Sequence, residues 1–290
     1  MRFFKSTNID FLGKRFFTYP ISLFLVILSI LVLFIKGPKY GIDFTGGTIV
    51  QIKFQKIISP EKIRNEIIKI GIKSAEIQKY GSEKEYLIKY SERIDPDVIV
   101  ENFKKGLDEE VIVERTENVG PRVGKELQYK ALEAVFIGMV LMLIYIALRF
   151  NFKFGIAAVV ALFHDVLITL GIMVFLGREI TIPLIAALLT IVGYSINDSI
   201  IVSDRIRENL KKMKGSFLEI ANKSINQTLS RTIITSGTTL FVVISLLLLG
   251  GPVLRDFSLA LFIGIIVGTY SSIFIVAALV CDWERKRKRG

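Results

Sequence analysis

The chain has 290 residues, 51% of them hydrophobic, and carries a formal charge of +11 from 38 Lys and Arg against 27 Asp and Glu. That apolar content is gathered into six long runs, which excludes an ordinary soluble domain and marks an integral membrane protein. A single cysteine, Cys281, excludes an intrachain disulfide. One histidine and no Cys-x-x-Cys pair leave no metal-site spacing, so neither metal nor cofactor is expected.

Residues 1–15 form a basic terminus, and the first apolar run, Phe16–Ile35, follows between Arg15 and Lys36. It has the roughly 20 residues a helix needs to cross about 30 Å of hydrocarbon. About fifteen residues precede it, so it reads as an anchor and not as a cleaved signal. Residues 36–130 are the one large polar segment. Gly41, Gly46 and Gly47 open it, but they lack the Lys-Ser/Thr of a P-loop and do not lie between a strand and a helix, which argues against direct ATP hydrolysis.

Thr48–Phe54 then alternates as a strand. Ser59-Pro60-Glu61 starts a helix through Ile63, Ile67, Ile68 and Ile70. Ala75–Tyr80 and Tyr86–Tyr90 read as a strand pair around Gly81-Ser82. Asp95-Pro96-Asp97 opens a second helix through Val98, Val100 and Phe103, and Val111 and Val113 begin a last strand. The order β-α-β-β-α-β predicts a ferredoxin-like α+β domain with a small core, expected to be somewhat mobile.

Residues 131–281 hold five further runs: Ala134–Leu148, Phe154–Gly177, Ile180–Ser203, Thr232–Leu254 and Phe257–Cys281. A basic loop at about 205–230 separates the fourth run from the fifth, and 282–290 is a basic tail. Lys and Arg crowd the first terminus, the second connection, the 205–230 loop and the tail. The positive-inside rule therefore predicts both termini in the cytoplasm and the 36–130 domain outside. The charge of +11 is then topology, with a tail suited to anionic lipid and no nucleic-acid role.

Ionisable groups inside these runs are the candidate site, because a charge at membrane depth costs several kcal/mol and persists where it has a partner, water and a purpose. Tyr194 and Asp198 share a helical face with Thr190, and Asn197 stands beside the acid. Arg231, Thr235 and Thr239 share a face of the fifth run, and antiparallel packing brings Arg231 toward Asp198. His164 and Asp165 lie near mid-membrane, with Thr169 extending a polar stripe. As neighbours on a helix they point about 100° apart and do not form a dyad by themselves, and no nucleophile motif points to an enzyme. These groups fit a proton path; they also fit a structural ion pair that specifies helix packing. In the sixth run Ala260, Gly264, Gly268 and Ser272 recur every fourth residue, a stripe for close approach of another helix, in this chain or another.

Four segments carry a resemblance: GIDFTGG at Gly41–Gly47, ALFHDVLITLG around His164-Asp165, GYSINDSIIVSDRIREN at Gly193–Asn209, and TLSRTIITSGTT around Arg231. In order and spacing they resemble the SecF subunits of bacterial SecDF protein-export complexes, over nearly the whole chain. The resemblance implies a bundle of the resistance-nodulation-division type in the bacterial cytoplasmic membrane, with a periplasmic ferredoxin-like domain. It also implies a SecD-like partner and proton-driven assistance of secretory proteins leaving the SecYEG channel, with YajC as a possible companion. By match to the family motif, Asp198 and Arg231 become the proton-transfer pair, supported by Asn197, His164, Asp165, Tyr194 and Thr235, while Asp204 is an interfacial charge. The motif after the first span supplies Gly41, Asp43, Gly46 and Gly47. A proton-coupled small-molecule exporter of the same superfamily is the alternative, although about 75 residues supply little outer structure to enclose a substrate.

Overall fold

The computed structural model describes residues 7–73, 75–149 and 152–287. Arg2, Lys5, Lys288 and Arg289, which belong to the basic terminus and tail, lie outside them. Helix α1 (Arg15–Lys36) is followed by a two-residue strand β1 (Lys39–Tyr40), a one-turn helix α2 (Ile42–Thr45) and an α+β domain, expected from the sequence to be the outer domain. That domain comprises β2 (Gly47–Phe54), α3 (Pro60–Lys69), β3 (Glu76–Tyr80), β4 (Ser82–Tyr90), α4 (Pro96–Leu107) and β5 (Val111–Val119). Its sheet runs β3-β4-β2-β5 with every neighbouring pair antiparallel, the strand order of the ferredoxin-like split motif.

Local chemistry explains its elements. Ser59 caps α3 by accepting from the Lys62 N–H, Asp95 caps α4 by accepting from the Asp97 N–H, and a proline follows each cap. The alternation in β2 sends Val50, Ile52 and Phe54 inward, where they meet Ile63 and Ile67 of α3, Ile99 and Phe103 of α4, and Tyr86, Ile88 and Tyr90 of β4. The buried tyrosine hydroxyls donate to the carbonyls of Ile58 and Ile94. Gly81 alone turns the β3-β4 hairpin, at φ 66°, so β4 begins at Ser82, four residues earlier than the sequence indicated.

The bundle continues with α5 (Pro121–Arg149), α6 (Phe152–Phe175), a two-residue strand β6 (Glu179–Ile180), α7 (Ile182–Lys212), α8 (Phe217–Leu249) and α9 (Gly251–Ser271). A five-residue π-helical turn, Ser272–Val276, then leads into α10 (Ala277–Arg287). Among the described residues six helical stretches are long and apolar enough to cross a membrane: 15–36, 122–146, 152–175, 182–212, 217–249 and 254–284.

Two boundaries differ from the sequence reading. The second span belongs to a helix that begins at Pro121, because nothing in 121–133 breaks it and its charges stay solvated, as in the exposed Lys130–Glu133 pair. The segment 205–230, read as a loop, is helical except for Met213–Ser216. A capping box of Ser216 and Glu219 starts α8, and the Arg205–Glu208 and Lys212–Glu208 pairs support the end of α7.

Packing on α1 inverts the usual rule. On α1 the buried residues are Arg15, Thr18, Ser22 and Ser29, while Phe34 is 84% exposed. Small residues allow close approach: a Cβ on Gly171 of α6 would collide with Ser29. At the end remote from the outer domain, residues 9–12 lie along α8 as a strap. Asn222 accepts from the Phe11 N–H at 2.8 Å, Asn226 accepts from the Ile9 N–H at 2.9 Å, and both amides donate to the Ile9 carbonyl. Arg15 pairs with Asp282 at 3.1 Å beside it.

Candidate functional site

Two buried carboxylates lie in the bundle, with different surroundings. Asp165, on α6, is fully buried and its side chain is fully engaged. It pairs with His164 Nδ1 at 2.9 Å through one oxygen and accepts from Ser195 Oγ at 2.5 Å and Ser271 Oγ at 2.7 Å through the other. The adjacent histidine and aspartate therefore do bond to each other, because both side chains are long enough to swing across the 100° between their positions. The Thr169 hydroxyl donates to the Asp165 backbone carbonyl instead of continuing a stripe. The His164 ring lies nearly parallel to Tyr270 with centroids 6.3 Å apart, and the Tyr270 hydroxyl bonds Ser22 and the Thr18 carbonyl of α1. Ser271 immediately precedes the π-helical turn, a distortion that recurs at functional positions.

Asp198, on α7, is 1% exposed, and neither carboxylate oxygen has a hydrogen-bond partner among the described residues. Arg231 acts on it electrostatically, yet no ion pair closes within 4.0 Å and the guanidinium-bearing residue is exposed on the bundle surface. Ser236 also lies beside Asp198, with its hydroxyl bonded to Thr269 at 2.8 Å. The Tyr194 hydroxyl, one turn along α7, and the Thr232 hydroxyl are likewise buried without partners. The expected proximity of Asp198 and Arg231 is present; the expected closed pair is not. Thr190 and Asn197 are exposed, and the hydroxyls of Thr190, Thr235 and Thr239 donate to carbonyls one turn back. Thr190, Asn197 and Arg231 therefore place polar groups on a membrane-depth surface that none of the described residues covers. Asp204 lies toward the end of α7 with Arg207 at 3.5 Å.

The small-residue stripe has its neighbour within the chain. Ala260 is fully buried with Leu184, Ala187 and Ile191 of α7, and a Cβ on Gly264 would overlap Ile191. A Cβ on Gly268 would approach Ser195 at 3.0 Å and Asp165 Oδ2 at 3.5 Å, so the stripe lets α9 reach the carboxylate through Ser271. Ser195 and Ser271 were not singled out from the sequence. A serine in an apolar run gives no sign of which helix it will meet.

The segment Gly41–Gly47 forms a junction. Gly41 N–H donates to the Ile180 carbonyl at 2.8 Å and prolongs the parallel pairing of β1 with β6. Asp43 Oδ2 accepts from the Ile182 N–H, the first residue of α7, at 2.9 Å. Gly46 and Gly47 adopt φ of 75° and 149°, and a Cβ on Gly47 would sit 2.7 Å from the Tyr90 carbonyl oxygen, so side chains are excluded there. Lys89 of β4 contacts Glu179 at 3.1 Å and Glu76 at 3.6 Å. Burial and the adjacent Glu76 carboxyl push Glu179 above the ordinary carboxylate range. Burial works to lower Lys89, but Glu179 and Glu76 outweigh it and raise the amine. No group of three His, Cys, Asp or Glu side chains suited to a metal occurs among the described residues.

Comparison with known proteins agrees with this arrangement. Residues 99–286 match the family described as protein export membrane protein SecD/SecF, C-terminal, and residues 31–56 match the SecD/SecF GG motif. The chain is 45% identical to the protein translocase subunit SecF of Calditerrivibrio nitroreducens, over 98% of this chain and 96% of that one. It is also 45% identical to the protein translocase subunit SecDF of Thermus thermophilus, over 96% of this chain and 39% of the relative. The crystal structure of that SecDF, described as a translocon-associated membrane protein, superposes with a TM-score of 0.86 over 96% of this chain and 39% of its own. The chain is a multi-pass membrane protein with a role in protein export, and it belongs to the SecD/SecF family of protein export membrane proteins.

Proposed function

We propose that the protein works with a SecD-like six-span partner to turn proton flow into assistance of Sec-dependent translocation, with Asp198 as the proton-bearing acid. The observation that carries this reading is the state of Asp198: a buried carboxylate with no closed hydrogen bond, the Ser236 hydroxyl nearby, and an arginine in electrostatic range but unpaired. A buried, unpaired carboxylate favours its neutral form, and approach of a cation favours the ionised form. Movement of Arg231 away from and toward Asp198 would thus bind and release a proton, respectively, at each cycle. Asn197 and Tyr194 supply polar groups for the water that such transfer needs, and the Asp165 cluster holds the neighbouring helices in place. The driving energy is adequate: one charge crossing about 100 mV yields roughly 2.3 kcal/mol, enough to shift a two-state equilibrium nearly fifty-fold.

The uncovered face of Thr190, Asn197 and Arg231 fits burial against a second bundle, and the Thermus relative is long enough to carry one. In this reading the protein sits in the bacterial inner membrane with both termini in the cytoplasm and the ferredoxin-like domain in the periplasm. There the domain meets the SecD-like subunit or the chain emerging from SecYEG, with YajC as a further neighbour. The test is export into vesicles containing the partner subunit, with ATP, with and without a proton gradient. Asp198→Asn keeps size and hydrogen-bonding capacity but removes titration, so it should insert and pair normally while losing gradient-dependent stimulation. Full stimulation in that variant would return the acid to a packing role.

A further inference from the structure

We propose that Asp43 is a positioning residue that couples α7 to the outer domain, so that a shift begun at Asp198 is delivered to the sheet; this deepens the proton-driven reading and rests on it. The first turn of a helix leaves backbone N–H groups without intrahelical partners. In α7, Thr181 takes the Leu184 N–H at 3.3 Å, and Asp43 takes the Ile182 N–H at 2.9 Å. The second acceptor comes from 139 residues away, in the one-turn helix that feeds the first strand of the outer domain. A carboxylate at this end of a helix meets the positive end of the helix dipole, so the bond is both charge-assisted and directional.

The surroundings make Asp43 a link and not a local cap. On one side, Gly41 bonds Ile180 and Lys89 bridges to Glu179, so the polar contacts that tie the domain side to the bundle converge on residues 179–182. On the other side the motif has little freedom. Gly47 is pressed against the Tyr90 carbonyl, and Gly124 of α5 leaves no room for a Cβ beside the Phe44 carbonyl and the Gly46 amide. A cavity of about 210 Å³ lies at this seam, lined from both sides by residues including Asp43, Lys89, Arg115, Thr181 and Asp256. The seam therefore has open space beside it. From Ile182 to Asp198 the chain is uninterrupted helix, about 24 Å at 1.5 Å per residue, and a helix shift of the usual 1–2 Å at one end arrives at the other.

The experiment uses the full chain with its partner subunit and the translocon in vesicles, and reads two quantities: gradient-dependent export, and proton entry reported by a trapped pH dye. Asp43→Ala removes the acceptor, and Asp43→Asn keeps one of nearly the same shape. Stimulation of export should fall about tenfold in Asp43→Ala, the order expected for one charge-assisted bond between coupled elements, while proton entry persists. Asp43→Asn should restore most of the stimulation. Unchanged stimulation in Asp43→Ala overturns the proposal. So does loss of stimulation together with proton entry, which would make Asp43 a purely structural cap. Asp198→Asn measured alongside separates the two layers. If it loses stimulation while Asp43→Ala does not, only the coupling role fails; if it retains full stimulation, both readings fall.

Discussion

Asp165 and Asp198 are buried to the same degree in the same bundle, at 0% and 1% exposure, and the protein treats them in opposite ways. Asp165 is surrounded by His164, Ser195 and Ser271, drawn from α6, α7 and α9, and every contact favours one fixed arrangement. Asp198 has none of these bonds and an arginine that acts on it electrostatically without closing an ion pair. A satisfied buried carboxylate acts as a clamp, because removing it strands several donors. An unsatisfied one is poised to change state, because no local bond has to break. On the proposed reading one acid would serve stability and the other cycling, although the sequence presents both as charges in apolar runs.

Substitutions at the two sites should separate these roles. The largest loss of stability is expected for Asp165→Ala, about 3–5 kcal/mol, since it leaves an imidazole and two hydroxyls buried without their acceptor. A drop in thermal midpoint of the detergent-solubilised protein measures it, and an unchanged midpoint would dissolve the contrast. Gly264→Leu should follow at about 1–3 kcal/mol, because the new side chain enters the space of Ile191 and pushes α9 away from α7. Ser271→Ala removes one donor from the clamp and should cost about 1 kcal/mol, a loss that disappears when Asp165 is already replaced. Asp198→Asn should change stability by less than about 1 kcal/mol, even though gradient-driven export is lost. Tyr194→Phe deletes a hydroxyl with no partner and should alter the midpoint least, by under about 0.5 kcal/mol, leaving any change to appear in the pH profile of export.

Much of this was legible beforehand because its causes are local. Caps at Ser59 and Asp95, the alternation of Val50, Ile52 and Phe54, and the 20-residue apolar runs are set by neighbours a few positions away, and each matches an element in the structure. The capping box of Ser216 and Glu219 was equally local, but the density of Lys and Arg around it made the segment read as a loop. The clamp around Asp165 was hidden for a different reason. It depends on which faces of three helices turn toward each other, and Ser195 and Ser271 look like ordinary small residues until that is known. The gap between Asp198 and Arg231 is a matter of ångströms that no spacing rule reaches. The role of Asp43 needed a bond across 139 residues.

The strap formed by residues 9–12 also bears on biogenesis. Its partners, Asn222 and Asn226, are made more than 200 residues later; the bond from Ile9 to Asn226 spans 217 positions. At synthesis rates of about 5–20 residues per second, the N-terminal segment waits roughly 10–40 s before the surface it binds exists. Arg15 waits longer still, for Asp282. Residues 9–15 thus reach these contacts only after more than 200 further residues have been made. Closure of the strap therefore marks a chain whose helices up to α8 have been made and assembled, and a nascent chain stalled before α8 would leave that segment free.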